Sequence, residues 1–255
     1  MANRSEILKA VTTILATVGM IVFNWLAAFG YINNTTPGEI SGLHLTIITP
    51  ASYAFSIWSL IYFGLTVFSI YQALPRNLGR FARLRSLYIL TCVVNCGWVF
   101  CWQHDAVILC LGIIFVLAML LLIIIRLFRN GENYADYWFV SAPFSLYAGW
   151  VTAAMIVNLV IALGSLGVTV SGPGATILGI ICILGAATLG VTARVKLTSY
   201  LHPLAVAWAL TAIGVKQSGQ TLVVSAAAIG VIACLIATCS FVLNLNSSTT
   251  ANEQR

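Results

Sequence analysis

The sequence predicts an all-α integral membrane protein, a bundle of about eight transmembrane helices. Composition is the first reason: 60% of the 255 residues are hydrophobic and 7% are charged, where a soluble domain carries about 25% charged residues. The second is that apolar residues come in long blocks rather than as one stripe per helix, the pattern of segments that face lipid. The third is that basic residues fall in alternate loops, as membrane topology demands. That bias accounts for the net charge of +6, so no nucleic-acid partner is implied. The first partner is the lipid bilayer.

Eight blocks are long enough for a hydrocarbon core of about 30 Å, at roughly 8–31, 51–73, 86–103, 106–126, 137–163, 174–193, 200–216 and 221–243. The first follows Arg4, Glu6 and Lys9 and is too long for the apolar part of a signal peptide, so it reads as a retained helix. The second opens at Thr49-Pro50, and a proline suits a first helical turn, where its missing N–H costs nothing. Trp58 and Tyr62, four residues apart, then share one face. Trp58 lies too deep in its block for a headgroup anchor. The third and fourth blocks meet at Gln103-His104-Asp105, a turn tight enough to make them an antiparallel hairpin. The third and seventh are the shortest, and His202-Pro203 places the start of the seventh at the interface.

Between the blocks, Ile32 to Thr49 is the longest outer loop and is placed to fold over the bundle mouth as a lid. The uncharged Gly/Ser-rich loop from Gly164 to Gly174 divides a five-helix front, 1–163, from a three-helix back, 174–243. The polar tail 246–255 reads as disordered. Arg4 and Lys9, Arg76 to Arg85, Arg126 and Arg129, Arg194 and Lys196, and Arg255 all belong to one side, which puts both termini in the cytoplasm of a multi-pass protein of a bacterial inner or an organellar membrane.

Polar residues inside spans are the usual functional pointers. Here they are Asn24, Gln72, Asn95 and Asn158, and every carboxylate, Glu132 and Glu253 included, falls in a loop, a tail or a span edge. That argues against an ion-coupled pump, and the lack of a mid-span lysine argues against a retinal protein. Asn24-Trp25, Asn95 with Trp98, and Trp150 with Asn158 each pair an amide with an indole. Such pairs either line a pocket for a flat apolar ligand or bridge helices and fill space. Cys92, Cys96, Cys101 and His104 are more economically read as packing residues than as metal ligands, so no metal site is assigned. There is no nucleophile–base set, no phosphate loop and no catalytic residue to name. Ala175 and Gly179, Ala186 and Gly190, and Ala226 and Gly230 have the small-residue spacing of close helix contacts, within the chain or between chains.

Pro50, Trp58 and Tyr62, then Asn95 and Trp98, then Pro143, Trp150 and Asn158 stand in an order and spacing that resembles the tryptophan-rich sensory protein family, also called the TspO/MBR or translocator-protein group. The resemblance covers roughly residues 8–163. It implies a five-helix bundle with a lid and a pocket for tetrapyrroles or similar ligands, in proteins that commonly form homodimers. On that reading Trp58, Asn95, Trp98 and Trp150 line the pocket, Tyr62 and Asn158 support it, and a porphyrin or haem is the bound group, with no cofactor required. His44 and His104 both belong to the outer side by their place in the sequence, so either could reach a bound porphyrin's metal. Ser52-Tyr53 and Phe55-Ser56 depart from the family's pattern, no fourth-helix aspartate follows Asp105, and Leu159–Ala162 lacks the sterol-recognition pattern. Transport of a small apolar solute, porphyrin breakdown by an enzyme, and an accessory subunit packing through the back helices are the alternative functions.

Overall fold

The structure, a computed structural model, describes residues 4–128, 134–168 and 170–252, with side chains of the last helix described as far as Ser240. Arg129, Glu132, Glu253 and Arg255 lie outside the described residues. Among the described residues seven helices are long and apolar enough to cross a membrane, and an eighth apolar helix is shorter.

Helix α1, Arg4–Ala28, buries Ala10, Thr13, Thr17, Met20, Asn24 and Ala27. These alternate at three and four residues, a narrow seam that packs on two neighbours while the rest of the helix faces outward. The lid follows. Asn33 and Asn34 take positive φ, which asparagine tolerates better than most residues, and turn the chain into α2, Pro37–Leu43. A capping box starts α2: the Thr36 N–H donates to Glu39 at 2.7 Å and the Glu39 N–H to the Thr36 hydroxyl at 3.2 Å. Hydrogen bonds from Thr36 to the carboxyl, from its backbone N–H first and its hydroxyl second, hold Glu39 below its ordinary value of 4.5. Its contribution to lid order is therefore fully present above 4.5 and is lost as pH falls through the lowered value. Amide exchange across α2, corrected for intrinsic rate, is expected to speed up on acidification in the native protein and to lose that pH dependence in Glu39→Gln.

The second span opens with a 3-10 turn, Ser52–Ser56, before α3, Ile57–Ala73. Pro50 thus stands ahead of the helix rather than in its first turn, and Trp58 sits in the first turn of α3. This turn is tied to the back of the bundle, where the Ala51 N–H donates to the Ala212 carbonyl at 3.0 Å. After a short 3-10 turn, Pro75–Asn77, comes α4, Ala82–Gln103, paired with α5, Val107–Leu127, as the tight turn predicts. At 22 residues α4 is not a short span. It starts ahead of residue 86 because Arg85, read above as a loop charge, is buried and its charge is answered inside the protein.

The fifth span begins as α6, Tyr134–Asp136, passes through a π turn, Tyr137–Ser141, and continues as α7, Ala142–Ser165. Pro143 has no N–H for the carbonyl four residues back, which explains the widened turn before it. Helix α7 is buried all round from Ala142 to Ala153 and is the hub of the bundle, touching α3, α5 and two of the back helices. The back comprises α8, Gly172–Leu197, α9, Leu201–Lys216, and α10, Thr221–Asn252, whose backbone stays helical through 246–252. Helix α9, of 16 residues, lies between α7, α8 and α10, with Ala205, Ala209 and Ala212 in the same core cluster as the front helices. His202 is buried and bonded to Thr152 at 3.1 Å rather than interfacial, because α9 is wedged against α7. The small-residue stripes serve contacts within the chain: Gly190 faces Cys234 and Gly230 faces Leu210.

Candidate ligand site

Two i,i+4 pairs of aromatic rings organise the outer half of the front bundle. On α3, Trp58 and Tyr62 stack with centroids 5.3 Å apart and planes 20° from parallel. On α4, Trp98 and Trp102 stack at 5.6 Å and 16°. Helix periodicity puts each pair on one face, and α7 backs the first: Tyr147 and Trp150 meet Trp58 edge-on at 5.7 and 6.3 Å. Offset and edge-to-face rings are the favoured aromatic contacts, so the indoles have fixed orientations.

Between α1, α3, α4 and the lid lies a cavity of about 400 Å³. Trp25, Trp58, Tyr62 and Trp98 line it, with Asn24 and Phe55, and Thr36, Pro37 and Gly38 of the lid close its outer end. Trp25 is 53% exposed, so the cavity is open sideways, toward lipid, past α1. Phe55 and Trp98 form a wall, behind which a crevice of about 40 Å³ is lined by Trp102, Trp150 and Asn158. The six residues singled out in the sequence are thus divided. Trp58, Tyr62 and Trp98 line the larger cavity, Trp150 and Asn158 line the crevice, and Trp98 borders both.

The amides act mainly between helices. The Asn24 side chain donates to Asn95 at 2.8 Å, joining α1 to α4. The Trp98 indole N–H donates to Asn158 at 3.3 Å, joining α4 to α7. Asn95 is not among the lining residues; its Nδ2 lies near the Tyr147 hydroxyl, yet neither completes a hydrogen bond. The bridging reading therefore describes what Asn95 and Asn158 do, while Asn24 also reaches the cavity.

The lid is pinned to the end of α4. The Trp102 N–H donates to the Pro37 carbonyl at 3.1 Å, the Asn33 side chain donates to the Gln103 carbonyl at 2.7 Å, and the Gln103 side chain donates to the carbonyls of Ala27 and Thr35. His44 bonds Asp105 and His104 bonds the Phe100 carbonyl, so both imidazoles are engaged away from the cavity lining. Among the described residues no three His, Cys, Asp or Glu side chains gather as metal ligands. Trp102 and Tyr147 escaped the sequence reading, and Phe55 entered it only as a departure from the family's pattern. Trp102 was findable, one turn after Trp98 on the same face; Phe55 and Tyr147 owe their places to the 3-10 turn and to the rotation of α7.

No curated relative and no solved structure matches the chain. A family model described as TSPO-like protein matches residues 10–241. The match continues through α8, α9 and α10, well past the residues that carry the tryptophan motifs. Ordered indoles, a lid over an aromatic cavity and a match over most of the sequence agree, and the chain belongs to the TSPO-like protein family.

Proposed function

We propose that this membrane protein is a binding or sensory protein that holds a tetrapyrrole, or a ligand of like shape and polarity, in the cavity between α1, α3, α4 and the lid. The observation that carries the proposal is the set of indoles, Trp25, Trp58 and Trp98, around a cavity of about 400 Å³. That volume falls within the range of small-molecule sites, about 300–1,000 Å³. Aromatic faces suit a flat macrocycle, and the Asn24 amide suits a polar edge. The lateral opening past Trp25 suits a ligand that arrives dissolved in lipid. The narrowness of the crevice behind Trp98 favours holding such a ligand over passing it through the bundle. We place both termini on the cytoplasmic side, from the basic loops, and a second copy of the chain as partner, from the family resemblance.

Titration of the detergent-purified protein with protoporphyrin tests the reading, followed by tryptophan quenching and the Soret band. Saturable one-site binding is expected. Trp58→Ala should raise Kd about thirtyfold, the effect of losing an aromatic anchor of about 2 kcal/mol, with the helical content unchanged. Non-saturable partitioning, equal in the variant, would count against the site.

A further inference from the structure

At the opposite, arginine-rich end of the bundle, a cavity of about 300 Å³ opens between the end of α5, the π turn and the α8–α9 turn. One wall is apolar, with Ile124, Phe128 and Phe144; the other carries the hydroxyls of Ser141, Ser145 and Ser199. Ser199 is 2% exposed, and its Oγ is buried with no hydrogen-bond partner. The last turn of α8 buries the Arg194 Nε without a hydrogen-bond partner, its guanidinium carbon 3.8 Å from the centroid of the Tyr200 ring, which lines the cavity. Ser199 and Tyr200 lead into α9, where Tyr200 at the N-cap makes no side-chain cap bond, so the positive end of the helix dipole, with the Leu201 and His202 N–H groups, lies beside the unpaired hydroxyl.

The charge balance points one way. Arg126 and Arg194 occupy the last turns of α5 and α8. Among the described residues no carboxylate lines the cavity, and Asp136, just ahead of the π turn, is held by Arg80 at 2.6 Å and Tyr71 at 2.8 Å. The carbonyl ends of α5 and α8 also come here, but the Phe128 carbonyl accepts from Ser141 and the Ala193 carbonyl from the Ser199 N–H. Buried donors without acceptors are costly, and here a hydroxyl, a guanidinium N–H and a helix start are gathered beside an apolar wall.

We propose that this cavity binds a phosphate group carried on an apolar tail. A phosphate supplies several strong acceptor oxygens at once, which matches donors from Ser199, Arg194 and the first turn of α9. The tail lies along Ile124, Phe128 and Phe144. The site is separate from the tryptophan cavity and stands whether or not that cavity holds a tetrapyrrole.

Calorimetric titration of the full-length protein in a neutral detergent tests it, with dihexanoyl phosphatidic acid, dihexanoylglycerol and inorganic phosphate as probes. Saturable binding of the phosphatidic acid is expected, with dihexanoylglycerol at least about tenfold weaker, the loss that follows from removing charge-assisted hydrogen bonds. Ser199→Ala and Arg194→Gln should each weaken phosphatidic acid binding by about tenfold. Ser199→Ala removes a hydroxyl that bonds nothing, so without ligand its melting temperature should equal or exceed that of the native protein. Inorganic phosphate binding as tightly as the lipid would assign the site to a soluble phosphate; weaker binding would assign it to a lipid. The first outcome would overturn the apolar tail; the second supports it. Absence of saturable phosphatidic acid binding, equal affinity for dihexanoylglycerol, native affinity in both variants, or a lower melting temperature of unliganded Ser199→Ala would overturn it.

Discussion

Gly149→Ala is expected to break the contact between α7 and α9 and to lower the melting temperature of the detergent-solubilised protein sharply. A Cβ at position 149 would lie 2.3 Å from the His202 carbonyl oxygen and 2.9 Å from the Ala205 Cβ. The first of these is backbone, held in the opening turn of α9, and cannot swing aside. Overpacking a dense core costs about 1–3 kcal/mol and more where backbone must move, so a loss of about 3 kcal/mol or more is the expected size here. The effect should reach the ligand cavity, because α9 also fixes the turn ahead of α3. The Ala212 carbonyl accepts from the Ala51 N–H, and the Trp208 N–H donates to the Ala54 carbonyl at 2.9 Å. Pushing α9 off α7 therefore displaces the turn that orients Trp58. Thermal denaturation and porphyrin titration of the same variant should both be impaired; a variant as stable as the native protein would mean that the two helices do not cross this closely.

Arg85→Ala should be comparably severe, for an electrostatic reason. Arg85 is 0% exposed. Its Nε donates to the Gln72 side chain at 2.5 Å, and its Nη groups donate to Glu6 at 2.8 Å, the Leu78 carbonyl at 2.6 Å and the Gln72 carbonyl at 2.8 Å. One guanidinium thus ties α1, α3 and the turn between α3 and α4 to α4. Truncating it leaves Glu6 to Lys9 alone, 3.0 Å away, and takes the donor from the Gln72 side chain and from the Leu78 and Gln72 carbonyls, at about 1–3 kcal/mol for each buried group left unsatisfied. Lysine should not rescue, since its compact ammonium cannot reach the same forked set of acceptors. The expected order of melting temperatures is native, then Arg85→Lys, then Arg85→Ala. A native-like Arg85→Lys would show that charge alone, without the planar geometry, holds this end together.

These two positions also show where reading residues in order falls short. The spans themselves were legible, because block length and apolar content depend on nothing outside each segment. So were the α4–α5 hairpin, from its two-ended polar turn, and the shared face of Trp58 and Tyr62, from helical periodicity. Arg85 was not, since an arginine near a span edge looks the same whether it meets water or a half-buried glutamate 79 residues earlier. The tie between the turn ahead of α3 and the back of the bundle was hidden as well: the Ala51 N–H finds its acceptor at Ala212, far along the chain. The candidate site was legible as a set of residue types and only partly as a place. Spacing puts Trp150 and Asn158 on one helix, but the rotation of α7 against α3 and α4 decides that they border the crevice behind Trp98 rather than the larger cavity.

The most direct test of the ligand site is to fill it. Ser59 lines the cavity beside Trp58 and is exposed there, so Ser59→Trp adds an indole to the open space without entering the packed core. Protoporphyrin titrations of the native protein and of Ser59→Trp, with melting temperatures measured alongside, put the claim at stake. The account predicts unchanged stability and affinity reduced by at least about tenfold, or about 1.4 kcal/mol. Native affinity with an indole in the cavity would contradict it and place the ligand elsewhere on the protein.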